Sequence, residues 1–190
     1  MFNVLIYELP SEYKGYSIDT SFRTGIMIMQ ALSDAELSED ERIFAALQLL
    51  FPERDEVFDI REALNGLEWY LKGWDTDNPV LENKDTVKVM DFDKDQWRLY
   101  GAFRSQYRIN LNTEELHFWE FMALLANLEE CSFTRIVHVR STEIKKDMST
   151  EYKDYLRKAK ERYSIDTAAA LSREEQARLD EFMKYATIRK

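Results

Sequence analysis

The chain has 190 residues, and its 26 Lys and Arg against 36 Asp and Glu give it a formal charge of −10 at pH 7. Hydrophobic residues make up 45% and charged residues 33%, which is the balance of a globular protein rather than of a disordered one. Only five glycines and three prolines are present, too few turn residues for a sandwich or barrel of many short strands.

The first half of the chain predicts a short strand followed by three helices. The apolar run Phe2–Leu9 is strand-like, and residues 19–21 (Asp-Thr-Ser) are a suitable cap for the first helix. The second helix opens with a capping box at residues 38–41 (Ser-Glu-Asp-Glu) and is stopped by Pro52. The third helix is expected over residues 60–74. The expected buried positions of the three helices are Phe22, Ile26, Met29 and Leu32, then Ile43, Phe44, Leu47, Leu50 and Phe51, then Ile60, Ala63, Leu64, Leu67, Leu71 and Trp74.

The next part of the chain predicts a loop and two helices. Residues 75–89 are polar, contain Pro79 and predict a long mobile loop. Asp91 is expected to cap the fourth helix. Residues 112–115 (Asn-Thr-Glu-Glu) predict the start of the fifth and most hydrophobic helix, which continues through Leu128. Three tryptophans lie beside the apolar helix faces, and we expect their side chains to pack in the protein interior. They are Trp69, Trp97 and Trp119.

In the C-terminal part of the chain, the sequence predicts two more helices, preceded by a segment whose secondary structure it leaves open. Residues 133–139 are short and β-branched, which is typical either of a helical turn or of a short strand. A helix marked by Tyr152 and Tyr163 follows. Residues 165–171 are expected to be a linker, and a second capping box at residues 172–175 opens the last helix.

Together these elements predict an all-α fold, an irregular bundle of about six to seven helices. The two exceptions would be the short N-terminal strand and the undecided segment at 133–139. We expect a helical domain over residues 1–163 and a C-terminal helical extension over 164–190. The longest apolar stretch, Leu116–Leu128, has 13 positions, fewer than the roughly 20 that a membrane span needs. With no cationic leader at the N-terminus, a soluble cytosolic protein is expected.

One acidic pattern begins like a calcium-binding loop. Asp91, Asp93 and Asp95 alternate along the chain as the first ligands of such a loop do. Gln96 stands where the sharp turn needs glycine, and Ala102 stands where the bidentate glutamate belongs. The pattern therefore favours an acidic helix N-terminus, whose charges complement the helix dipole.

Two other patterns could carry metal or nucleophilic chemistry. Glu114-x-x-His117 matches one half of a di-iron ligand set, but the second half is missing, so we expect His117 at the edge of an aromatic cluster. The single cysteine, Cys131, excludes a disulfide framework within the chain and has no nucleophile motif around it. There is also no glycine-rich phosphate loop. The sequence predicts no catalytic residue, no metal site and no cofactor.

Charge is divided unevenly along the chain. Residues 1–130 carry a formal charge of −14, whereas residues 131–190 carry +4. Three alternatives are open for the basic part: a solvated amphipathic helix, a contact with oppositely charged protein partners including other copies of the chain, or a nucleic-acid-associated regulator using residues 135–162. Nucleic acid is the least favoured, because acidic residues interrupt the basic patch and the acidic body repels phosphates. The candidate basic partner-binding residues are Arg140, Lys153, Arg157 and Lys160.

The fifth helix is apolar nearly all round. Such a helix is either buried on every side as a central core helix or shares a surface with a partner. The candidate partner-binding residues on and just before this helix are Leu116, Phe118, Trp119, Phe121 and Met122.

Several segments, taken in order over residues 14–163, resemble one family of phage proteins. They are Tyr16-x-Ile18-Asp19-Thr20-x-Phe22, Leu49-Leu50-Phe51-Pro52, Asp91-Phe92-x-x-Asp95, Ala102-Phe103-x-x-Gln106-Tyr107-x-Ile109-x-Leu111, Leu116-His117-Phe118-Trp119-x-Phe121-x-Ala123-Leu124-Leu125-x-x-Leu128, and later Ile136 and Arg140. In these segments the chain is similar to the gene-product-fifteen family of siphophage tail assembly chaperones. It departs from the family pattern at residues 137–139 and in the tail from Ser164 on.

The resemblance implies a non-catalytic protein in the cytoplasm of the infected or lysogenic host. Chaperones of this kind hold the tape measure protein soluble and help recruit tail tube subunits around it. A long, helical, aggregation-prone client requires apolar grooves among the helices and a soluble acidic exterior. Many copies along one client also require self-association, for which the oppositely charged ends of the chain are suited.

Overall fold

The computed structural model describes residues 2–53, 59–74 and 88–165. Over these ranges the chain forms seven α-helices and one two-stranded antiparallel hairpin, so the predicted all-α fold is confirmed. The helices are α1 (Phe22–Ser33), α2 (Glu39–Leu50), α3 (Ile60–Lys72), α4 (Phe92–Gln106), α5 (Phe118–Ala126), α6 (Ser132–Ser141) and α7 (Thr150–Arg162). The strands are β1 (Glu12–Tyr13) and β2 (Tyr16–Ser17).

The described residues divide between two compact units. The first unit is drawn from residues 1–86 and 97–131, and the second from residues 87–96 and 132–190. Most of the loop expected at 75–89 and of the linker expected at 165–171 lies outside the described residues, as does the capping box at 172–175 with the helix after it. The division into residues 1–163 and 164–190 stays a prediction.

The predicted strand at Phe2–Leu9 is wrong, because this segment forms turns. The carbonyl oxygen of Asn3 accepts the N–H groups of Ile6 and Tyr7 at 3.0 and 2.9 Å, and its side-chain Oδ1 accepts that of Leu5 at 2.9 Å. Such local bonds to an asparagine compete with strand pairing.

The strands come directly after this segment instead. In the β1–β2 hairpin Tyr13 pairs with Tyr16 across a two-residue turn. Lys14 and Gly15 in that turn have φ values of 50° and 86°, the positive values that a type I′ hairpin turn requires at both central positions.

The predicted helix caps at residues 21, 38 and 91 are confirmed. Ser21 Oγ accepts the N–H of Arg23 at 3.3 Å at the start of α1. At α2 the capping box is complete, since Ser38 Oγ accepts the backbone N–H of Glu41 while the Glu41 carboxylate accepts the backbone N–H of Ser38 at 2.8 Å. Asp91 Oδ1 accepts the N–H groups of residues 93 and 94 at 3.0 Å at the start of α4. These signals depend only on residues within one turn, which is why the sequence reveals them.

Two predictions about the C-terminal half are corrected. The signature at residues 112–115 does not start a helix, since α5 begins only at Phe118. Its polar groups are used in a turn, where the N–H groups of Thr113 and Glu114 donate to the carbonyl oxygen of Asn110. The segment at 133–139, open between a helical turn and a strand, lies in the helix α6.

The core of the first unit lies where α1 packs on α2 and α5, and α2 on α3. The buried residues that form it are Ile18, Ile28, Ala46, Leu47, Leu50, Phe51, Ala63, Leu67, Tyr70, Phe118 and Trp119. In the second unit α6 packs on α7. Its buried apolar residues are Phe133, Ile136, Val139, Leu156, Ala159 and Ile165.

Four residues expected in packing are exposed instead. The exposed fractions are 56% for Phe44, 61% for Ile60, 38% for Leu64 and 76% for Trp97. In α3, Ile60 and Leu64 are exposed because the helix packs through the side that carries Gly66. This glycine is buried and leaves no room for a Cβ beside the rings of Tyr13 and Phe51. The glycine therefore allows a closer approach on its own side of the helix, and the buried face is Ala63, Gly66, Leu67 and Tyr70.

We expect Gly25→Ala in α1 to destabilise the protein by about 1–3 kcal/mol. Alanine is the better helix former by about 1 kcal/mol, but a Cβ at residue 25 would overlap the ring of Phe118. Urea denaturation followed by circular dichroism measures the change. The matched control is Gly101→Ala in α4, where nothing lies near the added Cβ, and we expect it to stabilise the protein by about 0.5–1 kcal/mol. A Gly25→Ala variant as stable as the unchanged protein would contradict the expectation.

Candidate partner-binding site

The start of α5 is fixed beside the start of α1. The N–H of Phe22 donates to the carbonyl oxygen of Leu116 at 3.0 Å, and the N–H of Phe118 donates to that of Thr20 at 2.7 Å. These two bonds form an isolated antiparallel bridge between Ser21 and His117. Because residues 116 and 118 are bound in this extended pairing, the helix cannot begin any earlier.

The inner face of α5 is a stack of aromatic rings. The ring of Phe118 stacks on that of Tyr70 with centroids 4.9 Å apart. The ring of Phe121 lies against Phe22 at 5.0 Å and against Phe103 at 5.1 Å, both stacked. Offset ring pairs of this kind add to the free energy of burial.

Four of the five α5 candidates are therefore in the core. Leu116, Phe118, Trp119 and Phe121 are buried, as expected of a central core helix, whereas Met122 is partly buried against the core cluster. A partner contact by any of these five residues stays a prediction.

The Trp119 side chain of α5 packs against the last turn of α3. Its indole Nε1–H donates to the carbonyl oxygen of Tyr70 at 2.7 Å, and its ring meets that of Trp69 edge to face at 5.0 Å. Tyr70 is in the last turn of α3, where carbonyl oxygens have no partner within the helix. Gly73 follows, and a Cβ there would overlap the Trp119 ring. The glycine thus lets the chain close over the indole.

Beside Trp119 lies an apolar groove of about 710 Å³ in the first unit, which we call the α5 groove. Its described lining residues are Phe2, Val4, Leu9, Gly73, Trp74, Tyr107, Trp119, Glu120, Ala123, Leu124 and Asn127. The ring of Phe2 meets that of Trp119 edge to face at 5.5 Å. Sequence reasoning identified Trp119 but missed the N-terminal wall, because the apolar run at Phe2–Leu9 indicated a strand. The signal that could have found it was the high apolar content of that run.

The polar groups of the groove are few, and most are already bonded. Tyr107 Oη donates to the carbonyl oxygen of Leu124 at 2.9 Å, and Asn127 Nδ2 donates to that of Ala123 at 2.8 Å. Burial raises the pKa of Tyr107, and the negative charge of nearby Glu129 raises it further. Glu120 is exposed and is the one charged side chain among the described lining residues. The groove is therefore apolar with an acidic edge.

His117 caps α5 and lies at the edge of the aromatic cluster, where the sequence placed it. Its Nδ1 accepts the N–H of Trp119 at 3.0 Å, so the ring proton is on Nε2, which donates to the carbonyl oxygen of Pro10 at 3.0 Å. The imidazole meets the Trp119 ring edge to face at 5.6 Å. Burial of the ring lowers the pKa of His117, although the Pro10 carbonyl and Glu120 act in the opposite direction. The neutral ring is the form that this cap requires.

We expect the protein to lose stability as the pH falls below about 6.5, the usual pKa of an unfolded histidine. Because the pKa of His117 is lowered in the folded state, the unfolded chain takes up the proton first, and protonation favours unfolding. Above that pH both states hold the neutral ring, and the stabilising contribution is complete. The melting temperature between about pH 5 and 7.5 measures the effect.

The comparison variant is His117→Asn, since asparagine keeps a cap acceptor and does not titrate. Its melting temperature is expected to vary less with pH than that of the unchanged protein. His138→Asn is the matched control, because His138 is exposed on α6. An identical pH dependence for His117→Asn and the unchanged protein would refute this role.

In the second unit, Arg140 is buried in an ion pair with Asp95. The guanidinium donates to the two carboxylate oxygens at 2.5 and 3.1 Å, and the two side chains are 6% and 0% exposed. Arg140 also donates to the carbonyl oxygens of Val89 at 3.1 Å and Tyr163 at 2.6 Å. The structure therefore places Arg140 inside the unit, where its donors serve the fold, and not on the basic surface that the sequence suggested.

The basic face of α7 is also partly used within the fold. Lys153 Nζ donates to the carbonyl oxygen of residue 146 at 2.7 Å, and Lys160 Nζ donates to that of Arg140 at 2.5 Å. The second bond satisfies a carbonyl in the last turn of α6, where a cation also complements the helix dipole. Arg157 is exposed and pairs with Asp154 at 2.8 Å. The partner-binding roles of these three residues stay predictions.

Among the described residues, no three His, Cys, Asp or Glu side chains are grouped so that they could hold a metal ion. None of the described helices has both the length and the apolar character that a membrane crossing requires.

The described chain is thus a predominantly helical protein with an open apolar groove beside the buried helix α5. The family model for the Bacteriophage Gp15 protein matches residues 3–165. The chain belongs to this family, which confirms the family that the sequence motifs indicated. Membership indicates a structural or assembly protein of a bacteriophage. Neither a search of curated proteins nor a search of solved structures found a match.

Proposed function

We propose that the chain is a non-catalytic tail assembly chaperone in the cytoplasm of the infected or lysogenic host. In this role it binds the tape measure protein, keeps it soluble and helps to recruit major tail tube subunits around it. The observation that carries the proposal is membership of the Gp15 family over residues 3–165.

The apolar surface of the first unit supports this role. A chaperone for an apolar helical client needs exposed apolar surface that the client can cover. Beside the α5 groove, Val4, Leu5, Ile6 and Tyr7 are 61%, 90%, 69% and 60% exposed. The negative charge of residues 1–130 favours solubility despite this exposure.

Co-expression of the chain with the tape measure protein of the same phage tests the proposal. We expect a larger soluble fraction of tape measure protein and its co-purification with the chain. The matched control is the same plasmid with an early stop codon in the reading frame of the chain. If the tape measure protein is equally insoluble with both plasmids and does not co-purify, the proposed function is wrong.

Self-association is part of the proposal, since many copies are needed along one long client. The −14 charge of residues 1–130 and the +4 charge of residues 131–190 favour head-to-tail contacts. Such contacts weaken as salt screens the charges. Sedimentation velocity at low and high salt tests this, and a monomer under both conditions would exclude it.

Nucleic-acid regulation through residues 135–162 is less well supported. Arg140, Lys153 and Lys160 direct donors to acceptors within the fold, which leaves fewer cations for phosphates. Strong DNA binding at low salt would reverse this ranking.

A further inference from the structure

The α5 groove can bind apolar side chains but offers little to a polar ligand. Of its described polar side chains, Tyr107 and Asn127 donate to carbonyl oxygens of the groove's own helix, α5. Trp119 also lines the groove, and its one polar side-chain group, Nε1–H, is already bonded to the carbonyl oxygen of Tyr70. A small polar ligand requires several convergent polar groups to orient it, and here only Glu120 is charged.

The backbone of the ligand sets a second condition. An extended peptide that binds as an added strand needs an unpaired strand edge for its N–H and carbonyl groups, and none of the described lining residues lies in a strand. An α-helix satisfies these groups internally and presents only side chains. A helix can therefore lie in an apolar groove without leaving buried polar groups unpaired.

The edge of the groove sets the charge of the ligand. Glu120 lines the groove, and Glu129 is close enough to raise the pKa of Tyr107, which also lines it. No Lys or Arg is among the described lining residues. Complementary charge on the ligand is therefore positive.

We infer that the α5 groove binds an amphipathic α-helical segment of the tape measure protein, with aliphatic side chains against Ala123 and Leu124 and a Lys or Arg near Glu120. This inference rests on the proposed function and adds the surface and the kind of segment bound. The exposed Val4 and its neighbours 5–7 continue the apolar contact beyond the groove.

A pair of alanines on α5 provides the test. Ala123 lines the groove and is exposed, whereas Ala126 is exposed on the same helix but is not among the lining residues. Ala123→Arg places a long cation in the groove, where it blocks the apolar surface and repels a basic segment. The unchanged protein, Ala123→Arg and Ala126→Arg are each tested for binding to the tape measure protein, after their melting temperatures show that they fold.

We expect Ala123→Arg to weaken binding by about tenfold or more and Ala126→Arg to bind like the unchanged protein. If both variants bind like the unchanged protein, the groove is not the binding surface and the proposed function stands. If the unchanged protein does not bind, the proposed function itself is wrong, and this inference with it.

A second pair isolates the charge and remains informative if Ala123→Arg does not fold. Glu120→Lys reverses the charge at the groove, and Glu130→Lys reverses an exposed charge that is not among the lining residues. We expect only Glu120→Lys to weaken binding, and we expect its effect to shrink as salt screens the charges. Equal effects of the two variants would overturn the assignment of a basic segment to this edge.

Discussion

Replacing Arg140 by Met is expected to lower the free energy of unfolding by about 3–5 kcal/mol. The substitution leaves the Asp95 carboxylate, which is 0% exposed, without its cation inside the second unit. It also removes the donors to the carbonyl oxygens of Val89 and Tyr163. Urea denaturation followed by circular dichroism measures the loss.

Two comparisons test whether the burial of the ion pair causes the loss of stability. Arg157→Met breaks an exposed ion pair, and such a pair contributes only about 0–1 kcal/mol. The double variant Asp95→Leu with Arg140→Met removes both buried charges and should recover much of the stability lost in Arg140→Met alone. Equal losses in Arg140→Met and Arg157→Met would show that the buried pair has no special role.

Replacing Trp119 by Ala is expected to cost about 3–5 kcal/mol, the usual effect of removing a buried aromatic ring. Trp119 is 3% exposed and belongs to the core cluster of the first unit. Its loss also leaves the Tyr70 carbonyl oxygen without a donor at the end of α3. The melting temperature and the urea midpoint both measure the change.

Two further tryptophan variants separate the contribution of ring packing from that of the hydrogen bond, and the effect of a buried ring from that of an exposed one. Trp119→Phe keeps most of the packing and loses the hydrogen bond, so we expect a smaller loss, of which about 1 kcal/mol reflects the bond itself. Trp97→Ala removes a ring that is 76% exposed and should change stability by no more than about 0.5 kcal/mol. If Trp119→Ala proved as stable as Trp97→Ala, the central position of Trp119 would be contradicted.

The acidic pattern at Asp91–Asp95 shows how far local reasoning reaches. Residue spacing favoured an acidic helix N-terminus over a calcium loop, and Asp91 is the cap of α4. The role of Asp95 could not be predicted, because its partner Arg140 lies 45 residues away. Both residues belong to the motifs that marked the family, and the ion pair supplies a physical reason for their presence together.

The candidate site shows the same limit. The apolar character of α5 predicted either a core helix or a partner surface, and the structure shows a helix that is buried on one side and lines a groove on another. Phe118 and Phe121 face the aromatic core, whereas Glu120 and Ala123 line the groove. Which side of the helix is covered depends on elements that are distant in the sequence, so periodicity alone could not decide it.

The sequence by itself determined the all-α class, most helix boundaries and the family. These depend on caps, apolar spacing and ordered motifs, whose physical causes act within about one helical turn. Only the tertiary structure decided the late start of α5, the burial of Arg140 and the exposure of Trp97. It alone also formed the groove, because Phe2, Trp74, Tyr107 and Trp119 come together only when distant segments pack on one another.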